Sequence, residues 1–471
     1  MGNVYLCGLK NRHVKRYIMK ERNLDRDKLD FGNGQIGMLF RSLFFPTLIG
    51  MIFNSVLTII DGVFVGQGVG ADGIAAVNIV APIFLVCTGL GLMLGIGASV
   101  IASIRLSEDN VKAARIILTQ AFGVGLLIVC VICSVAFFFS KDIVYMLGCS
   151  ERLESKAIEY MLWLLPGLFF LLIQCVGMML IRLDGSPKFA MWIQIVAAVL
   201  NIVLDWYMVF PLGMGVGGAA IATSVACSVG GLLVLAYFIW FSDKLKFYRL
   251  KASVTSLLLT ARNCWYMMKI GFATFLTELA MSIMMLTGNY MFMSMLHEAG
   301  VAAFAIACYL FPVVFSISNA VAQSAQPIIS FNYGAHQMAR VSRALKISLS
   351  TAVLCGIMVA LGLRAGAPAI VSLFLNTGEE AYALAVDGLP QFATCSLFFA
   401  VNIAFIGYYQ SIENALASTL YTLLRGVVVL VPSFIVLPHL IGVPGLWLAI
   451  PVAEMLTCAI IGVRYLYTHY H

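Results

Sequence analysis

Charge is scarce in this sequence. Asp, Glu, Lys and Arg make up 11% of its 471 residues, against 61% apolar residues. Soluble domains carry about 25% charged residues, so a water-soluble globule is excluded. Signatures of chemistry are missing too. There is no GxxxxGK followed by Ser or Thr, no HExxH, no GxSxG and no DDxxD-type acidic segment in a loop. Their absence argues against a nucleotide-driven motor and against the common hydrolases. The six histidines do not cluster, and the twelve cysteines are scattered singly, mostly inside apolar stretches. We read the cysteines as small packing residues rather than zinc or redox ligands. No enzyme activity, metal or organic cofactor is expected. The stretch 1–38 is charged and lacks the apolar core of a signal peptide. Met19 is a plausible shorter start, which would make 1–18 a weakly structured extension.

What the chain does have is long apolar runs. A helix needs about 20 apolar residues to cross roughly 30 Å of hydrocarbon. Twelve such runs fall between residues 41 and 467. The fold expected is an all-α membrane protein of twelve spans. The links between spans are short, except 242–262, which is rich in Lys and Arg.

The basic residues set an orientation. With the N-terminus inside, 24 Lys and Arg fall on the inner side and 4 on the outer, and Arg425 is within span eleven. Arg182 and Lys188 belong to the inner group. Both termini are therefore expected in the cytoplasm. The net charge of +7 reflects this bias and gives no evidence for nucleic-acid binding.

Shifted so that position 211 lies on position 438, the sequence matches itself. Pro211–Ala226 then lies on Pro438–Ala453 with seven identities in sixteen. The chain thus reads as two six-helix bundles related by a pseudo-two-fold along the membrane normal. The expected divisions are a cytoplasmic segment 1–38, a bundle 39–241, a cytoplasmic linker 242–262 and a bundle 263–471. A central cleft between the bundles is the layout for alternating access.

The polar residues inside the spans do not repeat. Asp205 stands in QIVAAVLNIVLDWYMVF, with Asn201 and Gln194 on its helical face. A charge at the bilayer centre costs roughly 2.5–3.5 kcal/mol on insertion scales, so such a group marks an ion or substrate site by default. Asp61 closes a similar stripe with Asn54 and Thr58. Two carboxylates at membrane depth suggest proton or Na⁺ binding coupled to movement of another solute. Glu278, Arg425 and Glu454 are the charges within spans of the second half. Arg425 and Glu454 read either as a structural pair or as substrate contacts, and Glu278 as a cation-binding carboxylate. Asp61, Asn201, Asp205 and Thr223 fall, in the repeat, on Gly288, Val428, Pro432 and Ile450. The duplicate of the first site has lost its ligands.

Several of these segments together resemble one family. They are TIIDGVFVGQ, LNIVLDWYMVFPLGMGVGGAAIAT, QPIISFNYGAH and WLAIPVAEMLT. The chain is similar over about residues 35–467 to the multidrug and toxic compound extrusion (MATE) transporters, most of all to their DinF/MepA-like branch. The resemblance implies export of amphipathic organic cations in exchange for H⁺ or Na⁺. It also implies a cation site on a first-helix Asp, a fifth-helix Asn and Asp, and a sixth-helix Thr, which here are Asp61, Asn201, Asp205 and Thr223. In the NorM-like branch a second site uses acids on helices seven and ten. Glu278 matches the first of these, but span ten has no mid-helix acid, since Asp387 lies at its outer mouth. The partners expected are small organic molecules and membrane lipid, with the protein a monomer in a bacterial inner membrane. A lipid-linked saccharide flippase of the same superfamily is the alternative; it would need a basic cleft.

Overall fold

A computed structural model of the chain describes residues 29–69, 71–147, 149–250, 253–375 and 377–470. The proposed extension 1–18 lies outside the described residues. Every regular element among them is helical. The membrane-length helices are α1 (Ile36–Val69), α2 (Ala71–Ser107), α3 (Val111–Phe138), α4 (Glu154–Leu183), α5 (Pro187–Val209) and α6 (Gly215–Phe241). The stretch Val254–Gly334 follows, running for 81 residues and broken at His297, where φ is 53°. At 1.5 Å per residue it would measure about 120 Å if straight, four times the hydrocarbon thickness. It therefore crosses twice, as α7 before His297 and α8 after it. Next come α9 (Met338–Val371), α10 (Glu380–Ser411), α11 (Ala415–Ile441) and α12 (Val443–Tyr470). Among the described residues, eleven continuous apolar helices thus give twelve crossings.

The helices form two six-helix bundles. One apolar core is built mainly from α2 to α6. The second bundle has two, one at each end. The first helix of each bundle is shared. Residues 36–44 of α1 pack in the core of the second bundle, whereas Cys264, Met267 and Ile270 of α7 pack in that of the first. Both exchanges occur at the end bearing most Lys and Arg, here called the basic end.

Backbone geometry carries the duplication further than side chains do. Asp109 and His336 are equivalent positions of the repeat, and both adopt positive φ, 56° and 57°. Their turns also close alike, with Asn110 N donating to Arg105 O and Gln337 N to Asn332 O.

Small residues let the bundles meet closely. A Cβ on Gly97 of α2 would run into the Met267 carbonyl of α7, and one on Gly271 into the Met93 carbonyl. On another face of α2, Gly91 and Gly95 meet Cys175 and Val176 of α4. Without a hydrophobic drive between helices in lipid, such small-residue contacts supply dispersion energy. They wedge α2 between α4 and α7.

The FNYGAH segment at the end of α8 is explained by what it holds. Asn332 is fully buried, and its Nδ2 donates to Phe31 O at 3.0 Å. Arg340 donates to Phe31 O, Gly34 O and Asn332 Oδ1. Gly334 lies so close to α2 that a Cβ would be 2.9 Å from Ile104 Cα. This motif therefore fastens the residues before α1, and the end of α2, to the second bundle. Within the fastened stretch, the Asn33 and Gly32 backbone N–H groups donate to Asp30 Oδ1, and the Asn33 bond first of all holds that carboxyl below its usual range.

Candidate functional site

Helices α1, α4, α5 and α6 bring together the residues of the candidate cation site. Gly50 of α1 sits against the Gln194 side chain of α5, so these two helices run in close contact. Further along them, Asp61 and Asp205 bring their carboxyl groups side by side. Asp205 is 1% exposed and Asn201 2%. Both Asp205 oxygens and Asp61 Oδ1 are shielded from solvent, with no other side chain or backbone group bonded to them among the described residues. Asn201 Nδ2 reaches Thr223 Oγ1 of α6 at 3.5 Å. The α5–α6 turn that places Thr223 is made by Gly213 and Gly215, at φ +60° and +59°, where glycine is favoured.

A further residue joins them. Tyr160 of α4 is buried within electrostatic reach of both carboxyl groups. Sequence reading missed it because a tyrosine near a span end normally belongs to the interfacial aromatic belt. The remaining sequence candidates fall elsewhere. Asn54 and Thr58 are exposed, and Thr58 donates only to the Asn54 carbonyl. The buried polar residue of that part of α1 is Ser55, whose Oγ lies 2.6 Å from Ser316 Oγ of α8. Gln194 faces α1, with its Oε1 buried and unpartnered.

Glu278 is buried on α7 and lies apart from the pair. Its Cβ is 3.5 Å from where a Cβ on Gly89 of α2 would stand. No ion pair or hydrogen bond reaches its carboxyl group among the described residues. Asp387 is exposed, so it does not pair with Glu278 among the described residues.

Arg425 and Glu454 make an ion pair of 2.9 Å, with Arg425 Nε also donating at 3.0 Å. Asn402 of α10 donates to Glu454 Oε2 at 2.7 Å. The Arg425 guanidinium lies over the Phe399 ring, 4.4 Å from its centroid. Arg425 itself belongs to a π-helical stretch, Leu424–Val428, an irregularity that inserts a residue into the helical ladder. All of this network is within the second bundle.

Comparison with known proteins decides the class. The MatE family model matches residues 46–207 and 273–435, two stretches offset as the internal repeat is. The chain belongs to the MatE family. This family consists of membrane transporters, which are not enzymes. Among its relatives is the multidrug export protein MepA of Staphylococcus saprophyticus, 25% identical over 92% of this chain and 93% of that protein. Another is an FAD transporter of Shewanella oneidensis, 24% identical over 92% of this chain and 94% of that protein. Among solved structures, the outward-facing conformation of a multidrug resistance MATE family transporter superposes with a TM-score of 0.84. It covers 91% of this chain and 94% of its own at 23% identity. The MatE fold is thus shared along nearly the whole chain, and the transported solutes named for its relatives differ widely.

Proposed function

We propose that this MatE transporter is a cation-coupled antiporter, driven by H⁺ or Na⁺, that exports amphipathic organic cations. The observation that carries this is the Asp61–Asp205 pair. Two adjoining carboxylates repel, and burial makes their charge costly. The pair is relieved only by a proton or a small cation, so it is a place where ion binding has a large energetic consequence. Asn201, Thr223 and Tyr160 supply the polar atoms around it.

In this reading the basic end faces the cytoplasm, in agreement with the positive-inside rule. The chain then lies in a bacterial inner membrane as a monomer, with both termini cytoplasmic. The contacts Ser99–Gln326 and Ser103–Pro327 O join the bundles near the basic end. The cytoplasmic side is therefore closed. An ion at Asp61–Asp205 drives the exchange of states only through different affinities for them. A lipid-linked saccharide flippase would use several uncompensated basic groups along a cleft; Arg425 is neutralised by Glu454, and Arg182 is a single group at the basic end.

Transport in proteoliposomes, with a pH or a Na⁺ gradient imposed one at a time, tests the coupling. Proton release on substrate binding in detergent tests the site. Asp61→Asn and Asp205→Asn are expected to abolish release, and Glu278→Gln to keep most of it. The reverse pattern would move the coupling site to α7.

A further inference from the structure

One charge in the seam between the bundles has no counter-charge among the described residues. Arg182 stands in the last turn of α4 and is 2% exposed, although the charge count places it at the inner surface. Its Nη1 donates to Gln323 Oε1 of α8 at 2.6 Å and meets Met179 Sδ at 3.5 Å. Its Nε is buried with no acceptor. No carboxylate pairs with it among the described residues. The free carbonyls at the end of α4 offset part of the charge.

At the equivalent turn of the second bundle no cation stands. The turns after α4 and after the inner end of α10 close alike. Gly185 N donates to Arg182 O at 3.2 Å, and Glu413 N to Gln410 O at 3.1 Å. Gln410 thus occupies in the second bundle the place of Arg182 in the first. It is neutral, and its Nε2 donates to Ile270 O and Thr274 Oγ1. Gln323 and Gln410 share the wall of a cavity of about 30 Å³ with Thr274, Asn319 and Gln326, so the surroundings of the seam are polar but uncharged.

We infer that Arg182 is a destabilising charge built into the closed seam, which favours opening of the basic end. A guanidinium buried against a single neutral acceptor has lost more hydration than one hydrogen bond returns. When the bundles part at this end, the guanidinium regains water. Gln323 limits the cost of closure without cancelling it.

The test uses the full chain in lipid nanodiscs, with no substrate and no ion gradient, so its outcome is separate from the ion-coupling reading. Hydrogen exchange is followed in peptides spanning 96–107 and 323–334. Arg182→Met removes the charge and keeps the bulk; exchange is expected to slow by about tenfold. Gln323→Glu supplies a carboxylate and is expected to slow it likewise. Gln323→Leu strips the remaining oxygen acceptor and is expected to speed it by about tenfold. Exchange in 164–176, inside the first bundle, reports whether each variant is folded. If Arg182→Met and Gln323→Leu both speed exchange, the contact is an ordinary fastening and the inference is overturned. An unchanged Arg182→Met, or a Gln323→Glu that opens the seam, would overturn it equally.

Discussion

Three buried charges illustrate three different fates for a charge in lipid. Asp205 has another carboxyl as its neighbour, Arg425 has Glu454, and Arg182 has one amide oxygen. Their roles follow from those partners. Breaking the Arg425–Glu454 pair leaves a carboxylate buried with only Asn402 as donor, and such losses typically cost about 3–5 kcal/mol. Arg425→Ala is therefore expected to lower the detergent melting temperature well below that of Glu278→Ala, whose carboxyl has no pair to lose. A wild-type melting curve for Arg425→Ala would contradict this. Asp205 and Asn201 were legible in the sequence because an acid within the apolar run 194–210 has no inexpensive explanation. Arg182 was not, because an arginine at a span end is what an inner boundary looks like. Tyr160 was concealed by the same ambiguity, and only the path of α4 past α1 and α5 brings it to the carboxyl groups.

At the scale of elements, the twelve crossings and the duplication could be read from hydropathy and self-similarity, but the packing could not. The sequence GLGLMLGIGAS in α2 reads as ordinary apolar helix. In three dimensions its glycines separate onto two faces, Gly89 and Gly97 toward α7, Gly91 and Gly95 toward α4. The exchange of α1 and α7 between bundles was equally hidden, since a span's partners depend on long-range contacts that periodicity does not encode. A substitution series checks the wedge. Gly97→Val places side-chain atoms against the Met267 backbone, which cannot turn away, and overpacking of this kind costs about 1–3 kcal/mol. Gly123→Ala on α3 meets nothing within 4 Å, and alanine is the better helix former by about 1 kcal/mol. Thermal unfolding in detergent should show the first variant destabilised and the second neutral or stabilised. Equal melting temperatures would mean that α2 and α7 are free to separate.

For the whole molecule, what matters is the kind of polar contact that joins the bundles beside the apolar exchange of α1 and α7. Near the basic end these are Ser99–Gln326 and Arg182–Gln323, and midway along α1 and α8 the contact is Ser55 with Ser316. None of them is an ion pair, so each parts at modest cost: a neutral hydrogen bond contributes about 1 kcal/mol net, and one made by a charged group such as Arg182 about 1.5–3 kcal/mol. Polar contacts of this kind suit a machine that must open repeatedly. The Ser55–Ser316 contact offers the sharpest check, because its hydroxyl oxygens are 2.6 Å apart. With the native cysteines replaced, Ser55→Cys combined with Ser316→Cys should close a disulfide on oxidation and pin α1 to α8. Solute export is then expected to stop on oxidation and to return with a reductant, while each single variant stays active under both conditions. Undiminished export by the oxidised double variant, with the cross-link verified by mass spectrometry, would show that α1 and α8 move as one body. The surfaces that part during transport would then have to lie elsewhere.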